Sequence, residues 1–223
     1  MIFNELVLLF QIVVIACTAA IAVRLGREAL VTFTVVQMVL ANLFVIKQTM
    51  LFGLNATSAD AFAVGSLLGF NLIQEFFDRE LAKKTIITMF VLLGFYAIMA
   101  RSHLVYTPSE VDASHRYFVP ILSVVPWLVV ASMVVHMIAQ IIDFVIYGAL
   151  QKILRRWIIV RNYIALICSQ LADTILFTIF LWMLGIITNF WHIVIISFII
   201  KFAITLISTP LIVLLAQRYG RKS

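Results

Sequence analysis

The sequence predicts an all-α, polytopic membrane protein with about seven transmembrane helices. Three observations carry that prediction. Hydrophobic residues make up 64% of the 223-residue chain, where a soluble domain sits at about half, and the mean hydropathy is +1.14. Apolar runs of about 20 residues, the length a helix needs to cross a bilayer, succeed one another from end to end, with only four prolines and eight glycines to interrupt them. The basic residues fall in the short gaps between those runs, and they alternate.

The first run, Leu6–Val23, follows Glu5 and has no basic segment ahead of it. It reads as a retained span, not a cleaved leader. Ala29–Leu51 and Asp60–Phe77 are the second and third spans. Thr85–Ala100 is the fourth; it is short and is expected to begin earlier. The fifth, Phe118–Leu150, exceeds a bilayer and must tilt, protrude or break near Pro126. Ile158–Ile187 and Phe190–Ala216 complete the set. No linker or second soluble domain separates them, so residues 1–223 form a single integral membrane domain.

Charge orients the spans. Arg24 and Arg27 follow the first, Arg79, Lys83 and Lys84 the third, Lys152, Arg155, Arg156 and Arg161 the fifth, and Arg218, Arg221 and Lys222 the seventh. Against those twelve, the opposite side holds only Arg101 and Arg116. Positive charge stays in the cytoplasm, so the N-terminus is expected outside and the C-terminus inside. The same logic explains the net charge of +6 without a nucleic-acid partner. The loop Arg101–Tyr117 carries His103, Glu110, Asp112 and His115 without metal-ligand spacing, and reads as a solvated outer loop. Cys17 and Cys168 lie inside apolar runs and read as packing residues. No phosphate-binding loop, HExxH or GxSxG occurs, so neither an enzyme nor a cofactor is expected.

Polar residues nevertheless interrupt the lipid-like segments in stripes. Asn71, Gln74, Glu75 and Asp78 share one helical face, as do His136, Gln140, Asp143 and Tyr147. Ser169, Gln170, Asp173 and Phe177 form a third stripe, and Lys201, Thr205, Ser208 and Thr209 a fourth. Asn42 and Lys47 are five apart and share no face. Polar side chains also join membrane helices, for about 0.6 kcal/mol each, and any single member fits that role equally well. Taken together, the three carboxylates Glu75, Asp143 and Asp173, the two lysines Lys47 and Lys201 and the three glutamines Gln74, Gln140 and Gln170 favour a shared, partly hydrated cavity. Amide and carboxylate groups suit the edge of a planar heterocycle. Eighteen Phe, six Tyr and four Trp could stack on its faces, although Trp127, Trp157 and Trp191 equally fit interfacial belts.

Several segments resemble a known family. "ANLFVIK" (41–47), "LFGLNATSAD" (51–60) and "FNLIQEFFDRELAKK" (70–84) are similar to the N-terminal half of the queuosine precursor transporters, also described as vitamin uptake transporters. "AQIIDFVIYGAL" (139–150), "RNYIALICSQLADTILF" (161–177) and Lys201 followed by Thr209–Pro210 resemble the second half. The resemblance covers residues 29–212 in order. It departs at Asn71, where the family has Asp, and at Asp78, where it has Gly.

That resemblance implies import of a 7-deazaguanine, such as the 7-cyano or 7-aminomethyl compound or queuine, across the bacterial cytoplasmic membrane for tRNA modification. Another small heterocycle or a vitamin is the alternative. It also implies a six-helix core like the substrate-binding components of energy-coupling-factor transporters, here residues 29–216, with residues 1–28 as an extra N-terminal helix. The expected substrate-binding set is Asn42, Lys47, Asn71, Gln74, Glu75, Gln140, Asp143, Gln170, Asp173 and Lys201. One of Glu75, Asp143 and Asp173 would accept the N–H and amine of the base, Gln170 or Asn42 would meet its carbonyl, and Lys47 or Lys201 would balance charge. Arg161 and Asn162 would order the inner gate. Facilitated entry, proton coupling and partnership with a separate ATPase all remain open, as does a homodimer.

Overall fold

The computed structural model describes residues 2–77, 79–153 and 158–203. Among them are eight helices and one hairpin: α1 (Ile2–Leu25), α2 (Arg27–Phe44), β1 (Gln48–Leu51), β2 (Leu54–Thr57), α3 (Asp60–Phe76), α4 (Arg79–His103), α5 (His115–Leu122), α6 (Val125–Ile153), α7 (Ile158–Met183) and α8 (Phe190–Ala203). Four helical segments are long and apolar enough to cross a membrane: Phe3–Leu25, Arg27–Phe44, Glu80–His103 and His115–Ala139. Shorter apolar helices occupy Asp60–Phe70, Ile167–Met183 and Phe190–Ala203. The architecture is that of a multi-pass helical membrane protein.

The helices depart from the limits of the expected spans: α1 is longer at both ends, and α7 ends at Met183, short of Ile187. The second stops at Phe44; Val45 and Ile46 form a turn, and Met50 and Leu51 enter the hairpin. The fourth begins six residues early, at Arg79. The fifth is split by a turn at Ser123–Val124, immediately ahead of α6. Pro126 then sits in the first turn of α6, where its missing N–H has no intrahelical partner to lose. In the hairpin, Leu51 pairs with Leu54 across a two-residue turn. Both central residues, Phe52 and Gly53, have positive φ, of 52° and 80°, the geometry that matches the strand twist.

Helix α1 is apolar on every side. Ile15, Ala19 and Ala22 bury one stripe against Leu30 and Phe33 of α2 and Leu72 and Ile73 of α3. Phe3, Leu6, Leu9, Phe10 and Val13 stay exposed, as a lipid-facing surface requires. Ala20 packs at the edge of the buried stripe. At its N-terminal end α1 ties down the hairpin. Asn4 Nδ2 donates to the Met50 carbonyl at 2.9 Å, and the Phe52 N–H donates to Glu5 Oε1 at 2.8 Å. Gln48 Nε2 donates to the Ile186 carbonyl at 2.6 Å, fixing the hairpin's other end beyond α7.

Helices α2 and α3 pack closely because α3 carries Gly65 and Gly69, four residues apart. A Cβ on Gly69 would come within 3.3 Å of the Thr34 Cα on α2, and one on Gly65 within 2.9 Å of Gln37 Oε1. This small-residue spacing is legible in the sequence. A second core joins Val35, Phe70, Met89, Leu93, Val125 and Val129 across α2, α3, α4 and α6. A third packs Leu51 and Ala56 of the hairpin on Val64 of α3 and on Ile196 and Ile200 of α8. It brings the start of α3 against α8. Trp127, Trp182 and Trp191, at the start of α6, the end of α7 and the start of α8, are exposed, as in an interfacial belt.

Candidate functional site

Helix α8 carries two polar side chains one turn apart on one face, Ser197 and Lys201. Both are buried, and Lys201 is only 6% exposed. An ammonium at that depth is held only where an opposite charge and hydrogen-bond acceptors meet it. Helix α7 supplies them. Lys201 Nζ lies 2.7 Å from Asp173 Oδ2 and donates to Thr174 Oγ1 at 3.2 Å. The Thr174 hydroxyl in turn donates to the Gln170 carbonyl at 2.8 Å. The Asp173 side chain is less enclosed than its partner, 24% exposed against 7%.

Ser197 reaches in another direction. Its Oγ donates to Asp60 Oδ2 at 2.7 Å. Asp60 begins α3 directly after the hairpin and is 6% exposed. The backbone bond from Ser58 N to the Lys47 carbonyl, 2.9 Å, closes the hairpin base and sets where α3 starts. Lys201 and Asp173 both act electrostatically on Asp60, and the Thr57 hydroxyl lies beside it. Two carboxylates and one ammonium, from three helices, therefore share a buried site. The charge of Asp173 also reaches His136 on α6. The His136 ring stacks on Phe70 at 6.0 Å between centroids and meets the edge of Phe90 at 6.3 Å.

The remaining expected residues distribute differently. Asn42 is buried but engaged: its Nδ2 donates to the Met38 carbonyl at 3.0 Å, and its Oδ1 accepts from Ser132 Oγ at 2.7 Å, bridging α2 to α6. Lys47 is exposed between α2 and the hairpin, so of the two lysines Lys201 alone, among the described residues, meets the buried carboxylates. Gln170 lies half-buried one turn before Asp173 and Thr174. The side chains of Asn71, Gln74 and Glu75 on α3, of Gln140, Asp143 and Tyr147 on α6, and of Arg161 and Asn162 on α7 lie outside the described residues, as do Asp78, Trp157, Thr205, Ser208 and Thr209.

The comparisons agree with this architecture. The family model "Putative vitamin uptake transporter" matches residues 61–215. A Bacillus subtilis (strain 168) protein named "Probable queuosine precursor transporter" is 30% identical over 189 residues, 83% of this chain and 82% of its own. The chain belongs to this transporter family. No solved structure matches it.

The transporter is thus a membrane carrier and not an enzyme. Its sequence disclosed Asp173 and Lys201 as individual residues. Asp60, Thr174 and Ser197 were not among the expected set. Asp60 looked like the boundary of a span, and hydroxyls are common in membrane helices. The available signal was the spacing of Ser197 and Lys201, which places a hydroxyl and an ammonium on one face of α8.

Proposed function

We propose that the transporter imports a 7-deazaguanine precursor of queuosine across the bacterial cytoplasmic membrane, and that Asp173 is the acceptor for the base. The observation that carries the reading is the half-open Asp173 carboxylate, one oxygen of which is held at 2.7 Å by a buried lysine. A carboxylate fixed in this way presents its other oxygen at low orientational cost. A guanine-like edge, with adjacent N–H and amine donors, suits a carboxylate, and the neighbouring Gln170 amide suits a carbonyl. His136, Phe70 and Phe90 offer planar surface nearby. The name of the Bacillus subtilis relative supports the same substrate class.

The fuller arrangement belongs to this proposal: seven crossings with an external N-terminus, residues 29–216 as a six-helix core, Asn71, Gln74, Glu75, Gln140 and Asp143 completing the cavity, and a second copy or an ATPase as partner. The family description favours a vitamin as the second reading. The test is queuosine formation in cells that cannot make the precursor and depend on supplied base. Restoration by this chain, inhibited by excess 7-deazaguanines and not by vitamins, is the expected result. Inhibition by a vitamin alone would establish the second reading.

A further inference from the structure

We propose that import is coupled to a proton carried on Asp60, with Lys201 as the charge shared between Asp60 and Asp173. The inference rests on the reading of Asp173 as the substrate acceptor and adds a role for a residue that the reading does not use. The geometry is asymmetric. Among the described residues Lys201 makes its ion pair with Asp173 and its second hydrogen bond with Thr174, both on α7. Asp60 is sealed and is met by the Ser197 hydroxyl, not by the ammonium. With both carboxylates ionised, one negative charge would be left over in a medium where an unpaired charge costs several kcal/mol. A proton on Asp60 removes that charge and leaves Lys201 committed to Asp173, which is the arrangement observed.

Coupling follows from the sharing. When Asp60 is ionised it draws Lys201 away from Asp173, and the acceptor face loses its fixed orientation. When Asp60 is protonated, Lys201 holds Asp173 in place and the base binds better. Reciprocity requires that the base then raises the affinity of Asp60 for its proton by the same factor. Proton and substrate are therefore carried together, and loss of the proton to the cytoplasm weakens the hold on the base. The groups that set this balance are the Thr57 and Ser197 hydroxyls, Lys201 and Asp173 around Asp60, and His136 beyond Asp173. The one bond that changes is the O–H of Asp60, which forms with a proton taken from the outside and breaks as that proton is released to the cytoplasm.

The test uses the full chain in liposomes with labelled 7-cyano-7-deazaguanine and 7-aminomethyl-7-deazaguanine. Wild type should exchange label in counterflow without a gradient, and an acidic exterior should drive accumulation several-fold above equilibrium. Asp60→Asn, which imitates the neutral acid, should make whatever counterflow remains insensitive to pH and should lose the pH-driven accumulation. Ser197→Ala removes a donor to the ionised form and should move the pH profile of uptake toward alkaline values even if Asp60→Asn fails to assemble. Accumulation by wild type that ignores the pH gradient, or an unchanged response in Asp60→Asn, overturns the proposal; so does an unmoved profile in Ser197→Ala. If neither compound exchanges, the substrate reading falls by itself. Infrared spectra of the purified protein then decide the proton. A protonated-carboxyl stretch that disappears in Asp60→Asn upholds it, and one that is untouched, or absent from wild type, overturns it.

Discussion

Two seams of this molecule put polar atoms at membrane depth, and they do it in opposite ways. Between α2 and α3 the hydroxyls serve nearby backbone. Thr34 Oγ1 donates to the Leu30 carbonyl at 2.7 Å, and Ser66 Oγ donates across to the Thr34 carbonyl at 3.0 Å. Gly65 and Gly69 let the backbones approach, and Leu30, Phe33, Leu72 and Ile73 fill the space around them. Where α3, α7 and α8 meet, ionisable groups face one another across helices: Asp60, Asp173 and Lys201. The first seam is stabilised by small, local terms. The second consists of groups that each cost several kcal/mol alone and are tolerable only together. Polarity inside the membrane therefore does not by itself mark function; charge held across three elements is the better sign.

The largest break in that contrast is Lys201→Met. It removes the cation and leaves two buried carboxylates facing each other. Breaking one partner of a buried pair costs about 3–5 kcal/mol, so the variant should assemble poorly, read as lost monodispersity and a lower unfolding temperature in detergent. Adding Asp173→Asn to it should recover part of the loss, because the excess charge falls. A stable, fully active Lys201→Met protein would show that the pair is dispensable.

Asp173→Asn alone comes next, and it acts on transport more than on assembly. The amide keeps the shape and still offers Lys201 an oxygen, but it turns a donor toward the ligand's own N–H. A hydrogen bond to a charged group contributes about 1.5–3 kcal/mol, so affinity should fall by about one to two orders of magnitude. Queuosine formation at limiting base is the measurement, with Ile175→Val as a near-silent control on the same helix. Wild-type levels in Asp173→Asn and in Gln170→Ala together would remove this site assignment.

Gly69→Ala tests the other seam. The new methyl meets Thr34, whose Cα would lie at 3.3 Å and Cβ at 3.0 Å. Neither backbone can move away without disturbing the core that joins α1, α2 and α3. Overpacking of this kind costs about 1–3 kcal/mol, so the unfolding temperature should drop while the affinity for the base per folded molecule is unchanged. Equal loss of affinity would mean that the two seams are coupled.

The division between the seams also explains what the sequence could disclose. Spans are written in composition, since each of α1 to α4 contains a contiguous apolar run. The hairpin was not legible. Val45, Ile46, Met50 and Leu51 continue the apolar run beyond Phe44, and apolarity alone does not separate a buried strand from a helix. The small-residue pair at Gly65 and Gly69 was written plainly but competes with many chance pairs in membrane helices. Asp173 and Lys201 were visible as charges out of place. Their pairing was not, because 28 positions separate them and only the packing of α7 against α8 brings them to 2.7 Å. Asp60 was hidden by its position at the head of a helix, where an acidic residue has an ordinary explanation in the helix dipole.

The smallest expected effect is at the α2–α6 bridge, and it sharpens the comparison most directly because Asn42 was itself expected to touch the substrate. Its Oδ1 accepts from Ser132 Oγ at 2.7 Å, and its Nδ2 donates to the Met38 carbonyl at 3.0 Å. Ser132→Ala removes one interhelical hydrogen bond and nothing charged. Such bonds contribute about 0.6 kcal/mol in membrane proteins, because the separated helices find other partners. If Asn42 serves only as a brace, Ser132→Ala should lower the unfolding temperature slightly and leave the half-saturating concentration for uptake where it was. If Asn42 instead turns toward the base during transport, freeing its Oδ1 should change that concentration several-fold with little change in stability. Measuring both quantities in one variant separates a polar residue that holds helices together from one that holds a substrate.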